Sequence, residues 1–160
     1  MHCIKIFFFL LLASFLFSCE PTASKYNALD GKVVAISDGD TFILLVEKEQ
    51  IKIRLYGIDC PEKKQEYGQV ARQKLSELIF DKQVHVVQKD TDRYGRTVAL
   101  VYDAQNKCIN EEMLKAGLAW HYTNYDTNPV WQKLEEDAKA SRLGLWSTSD
   151  PTPPWQWRKR

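Results

Sequence analysis

The sequence predicts an α+β fold: a small β-barrel of five strands with three helices packed against it. Three observations carry this expectation. Five short apolar runs are bounded by turn-forming residues, residues 51–56 alternate apolar and polar with a period of two, and residues 69–80 bear an apolar stripe at helical spacing. The order β-β-β-α-β-β-α-α suggests an OB-fold.

Residues 31–37 form the first strand by their β-branched content, and Asp38-Gly39-Asp40 turns the chain. Residues 41–47 are apolar on both faces, as expected where a sheet curls into a small barrel under a helix. After the hairpin at 48–50, Ile51, Ile53 and Leu55 alternate with Lys52, Arg54 and Tyr56, so Arg54 points away from the face that buries Ile53. Gly57 ends this strand, and Pro61 stiffens the exit into a polar loop at 62–67. In the first helix, at 69–80, Ala71, Leu75, Leu78 and Ile79 recur on one face. Strands at 83–89 and 97–102 flank a charged turn at 90–96, and residues 103–107 turn again. Asn110 is expected to N-cap a helix at 111–116, with an Ile109–Leu114 staple and Gly117 at the exit. A last helix opens on Asn128 and Pro129, buries Trp131, Leu134 and Ala138, and stops at Gly144. Residues 150–160, rich in Pro and Trp, are expected to be extended.

At 160 residues the chain is one domain long, and part of it reads as targeting sequence. Residues 6–17 are an apolar run shorter than the roughly 20 residues a membrane-spanning helix needs, but they fit the core of a signal peptide. The run ends in Leu16-Phe17-Ser18-Cys19, which resembles a bacterial lipobox although Phe17 is bulky for one. The expected organisation is therefore a lipoprotein signal at 1–18, a membrane-proximal linker at 19–28, the folded domain at 29–148 and a Pro/Trp/basic tail at 149–160. Lipid on Cys19 would tether a water-borne domain to a membrane of the bacterial envelope; the alternative is an ordinary secretory signal with an incidental cysteine, and a secreted domain. Loss of residues 1–18 removes Lys5 and leaves 21 basic against 21 acidic side chains. No overall basic field then remains to attract a polyanion, so any nucleic-acid affinity must come from a local patch. Cys60 and Cys108 form no spacing pattern, and no disulfide is expected between them.

The chemistry concentrates between Asp38 and Glu62. Asp38 and Asp40 lie two apart at a turn, so both side chains project to one side. Asp59 and Glu62 follow the hairpin partner of the second strand, which lets the two groups converge at one barrel end. Packed carboxylates repel unless they share a cation, and oxygen ligands alone select a hard ion such as Ca²⁺ or Mg²⁺. This is no EF-hand, because Phe42 takes the place of the third ligand. Two or three carboxylates and a carbonyl fall short of the roughly six to eight oxygens calcium wants, which leaves positions for water and a substrate oxygen. Arg54 and Arg96 facing such an ion would make a clamp for a phosphodiester. Taken singly, Asp-Gly-Asp is ordinary turn chemistry and two arginines are ordinary surface ion-pair partners. The lone His121 is expected to be structural. Trp155 and Trp157 with the basic residues 158–160 either grip single strands or pack on the domain.

Asp38-Gly-Asp-Thr41, Arg54-x4-Asp59-x-Pro61-Glu62 and Asp92-x-Tyr94-Gly-Arg96, in that order and spacing, resemble the staphylococcal nuclease (thermonuclease) family. The likeness continues through Asn110-Glu111, Gly117-Leu-Ala119 and Gly144-Leu-Trp146. The resemblance implies a calcium-dependent endonuclease on an OB-fold that cleaves single-stranded DNA and RNA to 3′-phosphate products. It implies Asp40, Asp59 and the backbone carbonyl of Cys60 as direct Ca²⁺ ligands, with Asp38 acting through water. Glu62 would orient or deprotonate the attacking water, and Arg54 and Arg96 would bind the phosphate. Arg93 and Tyr94 match positions that contact the next phosphate, and Tyr125 one of two tyrosines near the base. Thr123 stands where the other tyrosine belongs, with Trp120 or Tyr122 as substitutes, and Cys60 replaces a threonine. A monomer is expected. The alternative from another class is a noncatalytic nucleic-acid-binding module on the same barrel.

Overall fold

The computed structural model describes residues 27–159. The signal segment, Cys19 and nearly all of the linker lie outside the described residues. Strands β1 (Ala28–Ile36), β2 (Thr41–Val46), β3 (Glu49–Leu55), β5 (Gln83–Thr91) and β6 (Thr97–Tyr102) close a barrel in the order β1-β2-β3-β6-β5. All neighbours are antiparallel except β3 and β6, which run parallel. Two strands too short to leave a periodic signature, β4 (Ile58–Asp59) and β7 (Trp120–His121), form a second sheet. The helices are α1 (Gly68–Ile79), α2 (Ile109–Lys115), α3 (Pro129–Ala140) and a one-turn α4 (Pro154–Trp157).

Alternation puts Val33, Phe42, Leu44, Ile53, Leu55, Val86 and Val101 inside, all essentially without solvent contact. Burial of each such side chain contributes about 1.5–3 kcal/mol. The α1 stripe behaves as its spacing predicts: Ala71, Leu75 and Ile79 are buried and Leu78 is half-buried. Helix α3 is capped by Asn128, whose side-chain oxygen accepts from the Val130 amide at 2.9 Å, with Pro129 in the first turn.

Three local expectations are corrected. Asn110 is not an N-cap: α2 begins at Ile109, two residues before the expected start, and the Asn110 amide is buried against the barrel instead. Ile109 therefore lies inside the helix, and no staple forms across its start. Helix α3 ends at Ala140, before Gly144, which sits in the 3₁₀ turn Gly144–Ser147. The tail is not extended, because α4 folds on the domain with Pro154 buried.

Candidate active site

The register of the β2–β3 hairpin sets Thr41 opposite Arg54. The parallel β3–β6 register sets Ile53 beside Thr97, so Arg96 arrives at the same end of the barrel. Here a cleft of about 750 Å³ opens, lined in part by Asp38, Asp40, Arg54, Cys60, Glu62 and Arg96. Arg93, Tyr94, Tyr122, Tyr125 and Arg158 also line it.

Asp40 is buried and fully engaged. Arg54 Nη1 lies 2.5 Å from its Oδ1, the Thr41 hydroxyl donates to the same oxygen at 2.9 Å, and the Cys60 amide donates to Oδ2 at 3.1 Å. Burial would raise its pKa, but Arg54 and the Cys60 N–H outweigh it and hold the carboxyl below the usual range. Asp38 stands differently. Burial, with the charge of Asp40 added, pushes its pKa up to about 7. Asp59 is fully buried on β4, with Arg54 Nη2 at 2.8 Å from its Oδ1. Burial and Asp40 raise its pKa against the opposing pull of Arg158 and Arg54.

Gly39 lets this turn approach α1. A Cβ there would stand 2.7 Å from the Ala71 Cβ and 2.8 Å from the Cys60 Cβ. The Cys60 thiol donates to the Gly39 carbonyl at 3.2 Å, and burial keeps it protonated, its pKa well above the usual value. Cys60 and Cys108 are both free.

Arg96 is aimed by its own turn. Asp92 accepts from the amides of Tyr94 and Arg96 at 2.9 and 3.0 Å and from Arg96 Nε at 2.7 Å. Despite some burial, these bonds hold the Asp92 pKa down. Arg96 Nη1 then reaches the Thr41 hydroxyl at 3.4 Å, linking it through one oxygen to Asp40. Tyr94 is 73 % exposed, with Arg93 and Arg96 over its ring at 5.4 and 5.6 Å. Tyr125 is 65 % exposed, and its carbonyl accepts from the Tyr56 hydroxyl. Thr123 is exposed, while Tyr122 lines the cleft. His121 is buried, its Nε2 3.1 Å from Asp126 Oδ1.

The tail supplies what the spacing of the motifs does not. Arg158 donates to Asp59 Oδ2 at 2.8 Å and to Glu62 Oε1 at 2.7 Å. The motifs line the cleft with Asp38, Asp40, Glu62 and Asp92 against Arg54, Arg93 and Arg96, and the basic run at 158–160 is the sequence signal for the further arginine.

Among the described residues, no three His, Cys, Asp or Glu side chains are grouped so as to hold a metal ion. The donor chemistry nevertheless fits a hard cation. Asp38 and Asp40 are partly or fully buried acids in mutual repulsion, and a shared cation would relieve the strain that raises Asp38.

Fold and cleft together define a class: an OB-like barrel whose hairpin end holds acids and arginines in ordered pairs. Comparison with known proteins narrows it. Residues 52–148 match the family described as staphylococcal nuclease homologue. The chain is 42 % identical over 132 residues to an uncharacterized endonuclease of Escherichia coli O157:H7, covering 82 % of this chain and 86 % of that protein. It is 45 % identical over 130 residues to an uncharacterized endonuclease of Haemophilus influenzae, covering 81 % and 72 %. A micrococcal nuclease of Shigella flexneri is 42 % identical over 139 residues, covering 81 % and 80 %. The chain belongs to the staphylococcal nuclease family.

Proposed function

We propose that this protein is a calcium-dependent endonuclease that hydrolyses phosphodiester bonds of single-stranded DNA and RNA, leaving 3′-phosphates. One observation carries the reading: Thr41 joins Asp40 and Arg96 through one hydroxyl at the cleft that Asp38, Arg54 and Glu62 also line, with Asp59 buried behind it on Arg54. Asp40, Asp59 and the Cys60 carbonyl would hold the ion, with Asp38 acting through water. When bound, calcium would supply electrostatic stabilisation of the charge that builds on the phosphoryl oxygens.

The side chains then divide the work. Arg54 and Arg96 donate to the nonbridging oxygens, and their effect grows as charge develops there. Glu62, 38 % exposed at its side chain, orients a water and accepts its proton. Arg93 and Tyr94 meet the neighbouring phosphate. Tyr125, with Tyr122 in place of the missing tyrosine, offers ring faces to bases, which only an unstacked strand can present. So few protein oxygens imply weak calcium binding, near 10⁻⁴ to 10⁻³ M.

The targeting pattern at 1–18 and Cys19 supports export and lipid anchoring in the bacterial envelope, with the domain acting as a monomer. The noncatalytic alternative draws on the ion pairs themselves, since Arg54 already engages Asp40 and Asp59.

The test is cleavage of single-stranded DNA in calcium and then in chelator, beside an Arg54→Ala, Glu62→Ala double variant. Cutting that needs calcium and vanishes in the double variant is expected. Arg96→Ala should lower kcat about 10²-fold. Binding without cutting would establish the noncatalytic module.

A further inference from the structure

Arg158 reaches the cleft from the far end of the described chain and pairs with two of its acids, Asp59 and Glu62. Asp59 Oδ1 accepts from Arg54 Nη2 at 2.8 Å and Arg158 Nη1 at 3.3 Å, while Oδ2 accepts from Arg158 Nη2 at 2.8 Å. The same Arg158 Nη1 donates to Glu62 Oε1 at 2.7 Å. Asp59 thus has neither oxygen free of an arginine.

The two arginines are not equally held. Arg54 has a side chain 16 % exposed, sits on a central strand, and is tied also to Asp40 and the Ile58 carbonyl. Arg158 is 42 % exposed and follows a helix of one turn. That tail is docked by separable contacts. Trp155 stacks on Tyr122 with ring centroids 5.2 Å apart and planes 1° from parallel, and it meets Trp120 edge-on at 6.3 Å. Buried Gln65 accepts from the Glu62 amide and donates to the Thr152 carbonyl. The loop that carries Glu62 and the tail that carries Arg158 therefore share one side chain.

We propose that the tail is a latch: Arg158 and a divalent cation are alternative occupants of Asp59 and Glu62, and the cation binds by releasing the tail. The inference rests on the nuclease reading, which takes Asp59 as a ligand. An ion at Asp59 Oδ2 would share that oxygen with Arg158, the less firmly held of the two arginines. Keeping Arg158 as well as Arg54 would set three positive groups against one carboxylate. Release also uncovers the Tyr122 face that Trp155 covers, so the cation and an unstacked base would be admitted by one motion.

The experiment is calorimetric titration with calcium alone, without nucleic acid, on the wild-type protein, Arg158→Gln and Trp155→Ala. Removing a positive charge favours a cation by itself, but Trp155→Ala keeps that charge and loses only the docking. If the docked tail is favoured roughly ten to one, both variants should bind calcium about tenfold tighter than wild type. Calcium should also speed amide exchange across residues 152–159 of the wild type. Affinity unchanged or weakened in Trp155→Ala, or calcium that slows exchange in the tail, would overturn the latch. Calcium-dependent cutting with equal affinities would overturn the latch alone, whereas no calcium binding and no cutting would overturn the nuclease reading with it. Tighter binding in both variants without cutting by any would uphold the latch and leave the nuclease reading wrong.

Discussion

Asp38 and Asp40 differ by two positions and by nearly everything else. Asp40 has an arginine, a hydroxyl and an amide for partners; Asp38 accepts from the Asp40 amide at 3.1 Å, which burial and a charged neighbour outweigh. The consequence for stability can be signed. An unfolded aspartate titrates at 3.8, whereas folded Asp38 titrates at about 7. Between these values the unfolded chain has lost the proton and the folded chain keeps it, so stability falls as pH rises. Asp38→Asn cannot titrate and should gain stability over wild type as pH goes from about 4 to about 7. Urea unfolding of both proteins without calcium checks this, and parallel stability curves would refute it. The carboxylates and arginines of the cleft were legible as residue types because charge beside apolar strands has few structural uses. Their pairing was not, since Arg54 turns toward both Asp40 and Asp59 only once β4 has formed.

At the scale of elements, α1 starts packed against the turn that Glu62 opens. A Cβ on Gly68 would stand 2.0 Å from the Glu62 carbonyl oxygen, a backbone atom that a side-chain rotation cannot move. Gly68→Ala should therefore displace Glu62 and lower kcat by at least about tenfold, since roughly 1 Å of misplacement can cost 10². Alanine favours the helix itself, so far-UV circular dichroism should be unchanged. Full activity in Gly68→Ala would show that Glu62 is not held by this contact. Periodic elements, α1 and β3, could be read from spacing, and the other barrel strands from their apolar content between turn residues. The two-residue β4 and β7 could not, because two residues carry no period. The tail misled for a related reason: proline and tryptophan describe a segment that resists regular structure, while its docking depends on Tyr122 and Gln65, far away in the chain.

Across the whole molecule, Asn110 joins the barrel to its helices. Its side-chain oxygen accepts from the Val101 amide at 3.1 Å, and its nitrogen donates to the carbonyls of Tyr56 and Ala99 at 2.9 and 3.3 Å. Asn110→Ala should cost about 2–3 kcal/mol of unfolding free energy, because three hydrogen bonds to the backbone would be lost, although the Ala99 carbonyl still accepts from the Tyr56 amide at 2.8 Å. A loss under about 1 kcal/mol in urea titration would mean that water replaces the amide. These bonds sit beside the parallel pairing of β3 with β6, and that pairing sets the order in which the molecule can be made. The β2–β3 hairpin can form locally and early, bringing Asp40 opposite its neighbours with only Arg54 as counterion. Arg96 is expected to arrive later, because setting β6 beside β3 brings Ile53 to Thr97 across the chain that holds α1 and β5, a slow, long-range closure. During refolding, competence to cut should therefore appear in one late step together with barrel closure, with no partly active intermediate before it.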